Sequence, residues 1–270
     1  AQRRGQRDEG QLQQTWQVRP DESQIGQLRL VAEQHLHRQV GSGQVVRVVA
    51  ADLLQAVSHA LGSNSSTTPV RLPDPVIDMG AFRGLVGVEN TCYMLADDEA
   101  LVDEILDAIA DICYRNTQFA LESGAKFDFG HFWEDICFKN GPLVNPAVFA
   151  DKVGPHYRRI TNLLTKYGLD VVSLDCDGCI DALIPVWFEN GVNTMFPIEV
   201  GTWNASIQPW RRKYGKGLLG VGGVNKRAFS RDRKAVDAEI ERLRPLIELG
   251  GYIPCPDHRI PEDCQYDLVR

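Results

Sequence analysis

At 270 residues the chain is long enough for one large domain or two small ones, and with 43% apolar residues it can bury a substantial core. Its net charge of −7 and pI near 5.4 argue against a nucleic-acid partner, which calls for a basic patch, and no apolar run approaches the ~20 residues that cross a bilayer. The seven cysteines are odd in number and irregular in spacing, which fits reduced thiols rather than a secreted disulfide framework. The polar start, "AQRRGQRDEGQLQQ", lacks the apolar core of a secretory leader, so a cytoplasmic location is expected.

The composition changes near residue 70. Residues 1–70 hold twelve Gln, one aromatic residue (Trp16) and neither Lys nor Cys. They read as an atypical amino-terminal segment. Residues 1–25 have a poorly ordered composition, 26–62 suggest helix with a short strand or more helix, and "GSNSSTTP" (62–69) reads as a linker. Residues 71–270 form the second unit, and here the patterns sharpen.

"PVIDMG" (75–80) suggests a strand. Apolar residues at helical spacing predict a long helix over 97–124, with Asp97 as its cap and Gly124 past its end. "KFDFGHFWED" (126–135) reads as a strand entering a polar loop. A helical stretch over 146–168 contains Gly154-Pro155, which should break or kink it. Then come regular strand–helix pairs: "LDVVSLD" and "IDALIPVWFENG", "VNTMFPIEV" and "NASIQPWRRKYG", "GLLGVGG" and "RDRKAVDAEIERLRPLIELG", and finally "GYIPC" with a last helix start at "PEDCQYDLVR". The basic run "RRKYGK" (211–216) reads as a helix end rather than a phosphate grip.

Strands alternating with helices predict a parallel α/β sheet. No G-x-G-x-x-G or P-loop follows any strand, which disfavours a Rossmann-type sheet. Polar residues recur at the carboxyl ends of successive strands, as in a (β/α)8 TIM-type barrel. With six or so strands after residue 70, either residues 26–62 supply the rest or the barrel is incomplete or altered at its amino-terminal end.

The candidate site residues follow from those strand ends. "HFWED" offers His131, Glu134 and Asp135 for substrate binding or acid–base work, or else a surface loop. Asp175 and Asp177 share a parity on an extended chain and so face one side. Two carboxylates so close repel unless a cation lies between them, although one of them could simply cap the following helix. With Cys255 they make a candidate metal set, for zinc or another divalent ion. Cys176-x-x-Cys179 is half of a zinc motif without its second half. Glu199 sits in an apolar strand, where an unpaired carboxylate would be costly, so it lies at the mouth or has a partner. Gly222 and Gly223 end a strand where a substrate can approach. "CPDHRIP" adds Cys255, Asp257, His258 and Arg259 between prolines. A Cys255–His258 nucleophilic pair lacks any recognisable elbow or oxyanion hole.

"HFWEDICFKNGPLVNP", "VVSLDCDGCIDALIPVWFENGVNTMFPIEV", "LLGVGGVNKRA" and "GGYIPCPDHRIP" together resemble the uroporphyrinogen decarboxylase superfamily over roughly residues 80–270. The resemblance implies a (β/α)8 barrel. It includes porphyrin-biosynthesis decarboxylases and corrinoid-dependent methyltransferases. Where such methyltransferases hold zinc through a His-x-Cys pair and a later Cys, this chain has Asp175, Asp177 and Cys255. No counterpart of the decarboxylases' Arg-rich amino-terminal loop stands in residues 1–70.

The resemblance therefore implies a divergent enzyme of methyl transfer, acting on a methylated small molecule or with a corrinoid protein as partner. Asp175, Asp177, Glu199 and His258 would be catalytic, and Asp175, Asp177 and Cys255 would be metal ligands. His131, Glu134, Asp135, Gly222, Gly223 and Arg259 would line the substrate. The alternatives are a cofactor-free decarboxylase that clamps its acid with Arg259 and His258, and a non-catalytic ligand-binding remnant.

Overall fold

A computed structural model describes residues 79–269, which lie in the second of the chain's two units, Pro69–Arg270. The expectations for 1–70, and for the part of "PVIDMG" before Met79, fall outside the described residues.

The structure begins with helices α1 (Met79–Val86), α2 (Val88–Asp97) and α3 (Glu99–Glu122). Met79 and Gly80 are therefore helical rather than extended. The long helix forms as its pattern requires, burying Val102, Leu106, Ala110, Cys113 and Thr117 along one stripe. Its cap is Asp98, one residue later than expected, whose side chain accepts from Leu101 N–H at 3.2 Å.

Strand β1 (Gly130–Trp133) leads into a small antiparallel hairpin, β2 (Cys137–Phe138) and β3 (Gly141–Pro142). Helices α4 (Pro146–Lys152) and α5 (Gly154–Lys166) follow, separated at Val153 by the break that Gly154-Pro155 imposes. The remaining order is β4 (Val172–Asp175), α6 (Ile184–Glu189), β5 (Thr194–Ile198), α7 (Val200–Trp203), α8 (Ile207–Tyr214), β6 (Leu219–Val224), α9 (Arg233–Glu248), β7 (Tyr252–Pro256) and α10 (Tyr266–Val269). The basic residues of α8 do close a helix end. The Arg211 guanidinium donates to the carbonyls of Lys216, Leu218 and Leu249. Among the described residues no helix is long and apolar enough to cross a membrane.

The main sheet has five parallel strands in the order β1-β4-β5-β6-β7. Apart from the hairpin, each strand pairs with its chain neighbour, so the winding never reverses. Right-handed crossovers then place the helices on one face. The core lies there: Phe132 packs on Tyr157 of α5 with ring centroids 4.7 Å apart, and Phe149 of α4 meets Trp187 of α6 edge-on at 6.1 Å. The fold is α/β with a parallel sheet. A closed eight-stranded barrel is not found among the described residues, where β1 and β7 remain as two sheet edges.

Candidate active site

In a parallel sheet wound in one direction, the carboxyl ends of the strands share one rim, and the loops leaving them make the site. Strands β1 and β4 are direct neighbours, with Trp133 opposite Asp175. Residues just past these two ends therefore meet. Asp135, Asp175 and Asp177 each bring a carboxylate oxygen within 4.8 Å of the others, and all three are half-buried.

Asp135 reaches this position through a left-handed backbone, φ 44°. Asp tolerates that region better than most residues, though at some cost in strain. The turn is held from both sides. Arg83 on α1 donates to the Asp135 carbonyl at 2.6 Å, and the Asp135 carboxylate accepts from Asp177 N–H at 3.2 Å. From the far edge of the sheet, the loop after β7 brings His258 Nε2 to 3.2 Å from Asp177 Oδ2. Their side chains are 36% and 46% exposed, so a small ligand can reach the pair.

The metal set read from sequence needs one exchange. Cys255 is outside the three-carboxylate group. It lies on β7 opposite Gly223, with β5 and β6 between it and β4, and its thiol points to its neighbour's carbonyl, Pro256 O, at 3.6 Å. Burial, aided by nearby Asp257, pushes the Cys255 thiol up, which is unfavourable for a nucleophile. His258 pairs with Asp177 instead of forming a Cys255 couple. Asp135, expected to bind substrate, takes the vacated place in the carboxylate group because β1 adjoins β4.

Several other residues, expected to be catalytic or to contact substrate, turn out to hold the rim together. Glu199 is 4% exposed and accepts Gly178 N–H at 2.6 Å and the Thr202 hydroxyl at 2.9 Å, so it ties the loop after β4 to the end of β5. The sequence left it either at the mouth or with a partner; it has partners, and both of its oxygens are engaged by the protein. Glu134 is likewise buried, accepting the Tyr157 hydroxyl at 2.5 Å and Gly80 N–H at 3.1 Å. His131 is buried below the carboxylates, its Nδ1 2.7 Å from Ser173 Oγ. Gly222, at φ 116°, is required by packing, because a Cβ there would come within 2.5 Å of Ile198 N. Gly223 beside it is held through its carbonyl by Arg242 at 2.5 Å. Arg259 is exposed on the last loop.

Two further residues shape the rim, and sequence reading missed one of them, Arg83. Asp257 is 1% exposed and bridges Gly201 N–H at 2.6 Å and Lys226 N–H at 3.2 Å, joining the loops after β5 and β6. Arg83 on α1 places a guanidinium beside the rim. The sequence places Asp257 at the end of the last strand with Cys255 and His258, though without a role. Arg83 carried no signal there.

No protein-family model matches the sequence, and no curated protein is similar to it. Solved structures supply a comparison. The fold resembles that of a methyltransferase from Methanosarcina mazei. The TM-score is 0.59 and the identity 16%, over 83% of this chain and 61% of that one. The likeness is one of fold, and this chain spans about three-fifths of the other's length.

Three clustered carboxylates are hard oxygen donors, and their mutual repulsion is relieved by a cation among them. The residues present therefore fit a divalent ion that favours oxygen over sulfur.

Proposed function

We propose that the chain is an enzyme of methyl transfer that binds its small-molecule substrate at the rim formed by Asp135, Asp175, Asp177 and His258. The observation that carries this reading is the meeting of the three carboxylates at the carboxyl ends of neighbouring strands. The methyltransferase-like fold and the motif resemblance to the uroporphyrinogen decarboxylase superfamily support it. The methyl group would come from a methylated small molecule or from a corrinoid carried by a partner protein.

A divalent ion held by Asp135, Asp175 and Asp177 would supply Lewis-acid polarisation of an oxygen acceptor. The chain's own residues do the rest. His258, paired with Asp177, is placed to take a proton from an acceptor bound at the rim. Glu199 and Glu134 hold the two loops that carry the carboxylates, so the site is set before a ligand arrives. Arg83 fixes the Asp135 turn through its carbonyl.

Metal analysis and a methyl-transfer assay test the reading together. Protein incubated with a divalent metal and desalted is expected to retain one ion per chain. Asp135→Asn and Asp177→Asn should weaken that retention by at least the ~10–100-fold that loss of an outer-shell partner costs. With methylcobalamin and a panel of alcohol and thiol acceptors, the corrinoid spectrum should report demethylation, and His258→Gln should slow it by about 10²-fold or more. Protein that neither retains metal nor demethylates any donor overturns the proposal.

A further inference from the structure

The loop that delivers His258 is pinned one residue earlier. Asp257 is 1% exposed, and its carboxylate accepts Gly201 N–H at 2.6 Å on one oxygen and Lys226 N–H at 3.2 Å on the other. Its own N–H donates to Val224 O at 2.8 Å, which carries the β6–β7 ladder one step further. Main chain from the loops after β5 and β6 thus engages Asp257 at both carboxylate oxygens. Gly201 approaches so closely that a Cβ on it would stand 3.1 Å from Asp257 Oδ2.

These contacts close a circuit around the rim. Asp177 is followed by Gly178, whose N–H donates to Glu199 at 2.6 Å. Glu199 leads within two residues to Gly201, whose N–H donates to Asp257. Asp257 is followed by His258, whose Nε2 lies 3.2 Å from Asp177 Oδ2. Each link is a hydrogen bond or a step of one or two residues along the chain. The circuit spans the ends of β5 and β6, which separate β4 from β7 in the sheet. Among the described residues the contact with Asp177 is the polar partnership of the His258 side chain, which is 36% exposed. The position of its imidazole therefore depends on where the backbone of its loop is fixed.

We propose that Asp257 is the positioning residue for His258, its two backbone contacts setting where the imidazole meets Asp177. The inference rests on the reading above, in which His258 takes a proton from an acceptor bound at the rim, and it adds the group that places that imidazole. Asp257 is too deeply buried to meet a ligand itself, and it lies outside the three-carboxylate group. Its effect on turnover passes through the loop it holds. A carboxylate suits the task because it accepts from both amides at once.

Asp257→Asn and Gly201→Ala test this from the two sides of one contact. Asn keeps one acceptor oxygen and turns an amide N–H toward the other backbone donor. Ala suits the short helix α7 and crowds Asp257 Oδ2 without altering Asp257 or His258. In the methylcobalamin assay Asp257→Asn is expected to lower kcat by about 10–100-fold, the effect of an ångström-scale misplacement, with KM and metal retention unchanged. Gly201→Ala should lower kcat by less. Because Asp257 acts through His258, the double variant Asp257→Asn/His258→Gln should be no slower than His258→Gln alone. A second readout needs no turnover. In protein with isotope-labelled histidine at fixed pH, the His258 ring is identified by its absence from the His258→Gln spectrum. Both single variants should shift its Nε2 signal while those of the other histidines stay in place. Wild-type kcat in Asp257→Asn, a His258 signal that neither variant moves, or a double variant slower than His258→Gln overturns the proposal. Wild-type protein that demethylates no donor overturns the functional reading instead, and the ring signal then decides whether Asp257 places His258. Gly201→Ala gives that signal even if Asp257→Asn folds poorly.

Discussion

Glu134, Glu199 and Asp257 are each almost wholly buried, and each accepts hydrogen bonds from groups on other elements. A buried carboxylate is tolerated only when donors replace its water. Removing one leaves those donors stranded. Glu199→Ala is expected to cost about 1–3 kcal/mol in urea unfolding, because Gly178 N–H loses its acceptor. Glu199→Gln keeps an acceptor oxygen and should cost less than about 1 kcal/mol. If Glu199 were instead a reacting group, Gln would preserve stability and abolish turnover. Gly178→Ala should be worse than either, by more than about 2 kcal/mol, since φ is 92° and the added carbon meets two carbonyl oxygens at 2.7 Å. A carboxylate at a strand end looks the same in sequence whether it faces the rim or a backbone amide. That is why Asp175 and Asp177 were legible as a pair while Glu134 was taken for a substrate contact and Glu199 for a catalytic group. Asp135 could not be assigned to the pair without knowing that β1 adjoins β4.

Helix α3 carries Glu99, Asp103, Asp107 and Asp111, one acid per turn, a repulsive row in an isolated helix. Helices α4 and α5 supply the counter-charges. Lys152 meets Glu99 and Asp103 at 2.8 and 2.6 Å, His156 meets Asp107 at 3.4 Å, and Arg159 meets Asp111 at 2.5 Å. Burial holds His156 below its ordinary value of 6.5 despite Asp107. The unfolded chain therefore takes up this proton more readily than the folded one. The stability linked to His156 is complete above about pH 6.5 and is lost as the pH falls below it. The Arg159 hydrogen bond holds Asp111 below its ordinary 3.8, so its contribution persists above that value and fails only at lower pH. Unfolding free energies measured from pH 8 to 5 should decline on the acid side, and His156→Gln should flatten that decline. The helices of this layer were legible where spacing was regular, as was the break at Gly154-Pro155. Helices α1 and α2 were not, since α2 carries Asn and Thr and both are short. The β2–β3 hairpin has two-residue strands, too brief for any alternation to show.

At the scale of the described molecule, the sheet ends in two edges, and β7 presents Ile253 at 64% exposure. An exposed apolar edge strand invites pairing with another chain. Ile253→Lys is expected to leave unfolding free energy within about 0.5 kcal/mol and to reduce light scattering on heating. More scattering in the variant would show that the edge is already protected. The parallel α/β order was readable from strand–helix alternation because each unit carries its own pattern. Closure into a barrel was not, since it depends on how distant segments meet. The unreversed winding has one last implication. The three acids come from the first two strands of the series, while only His258 arrives from the last. A lineage could therefore shorten, lengthen or exchange its terminal strand–helix cassette and alter the proposed proton acceptor, while the anionic cradle passes on intact.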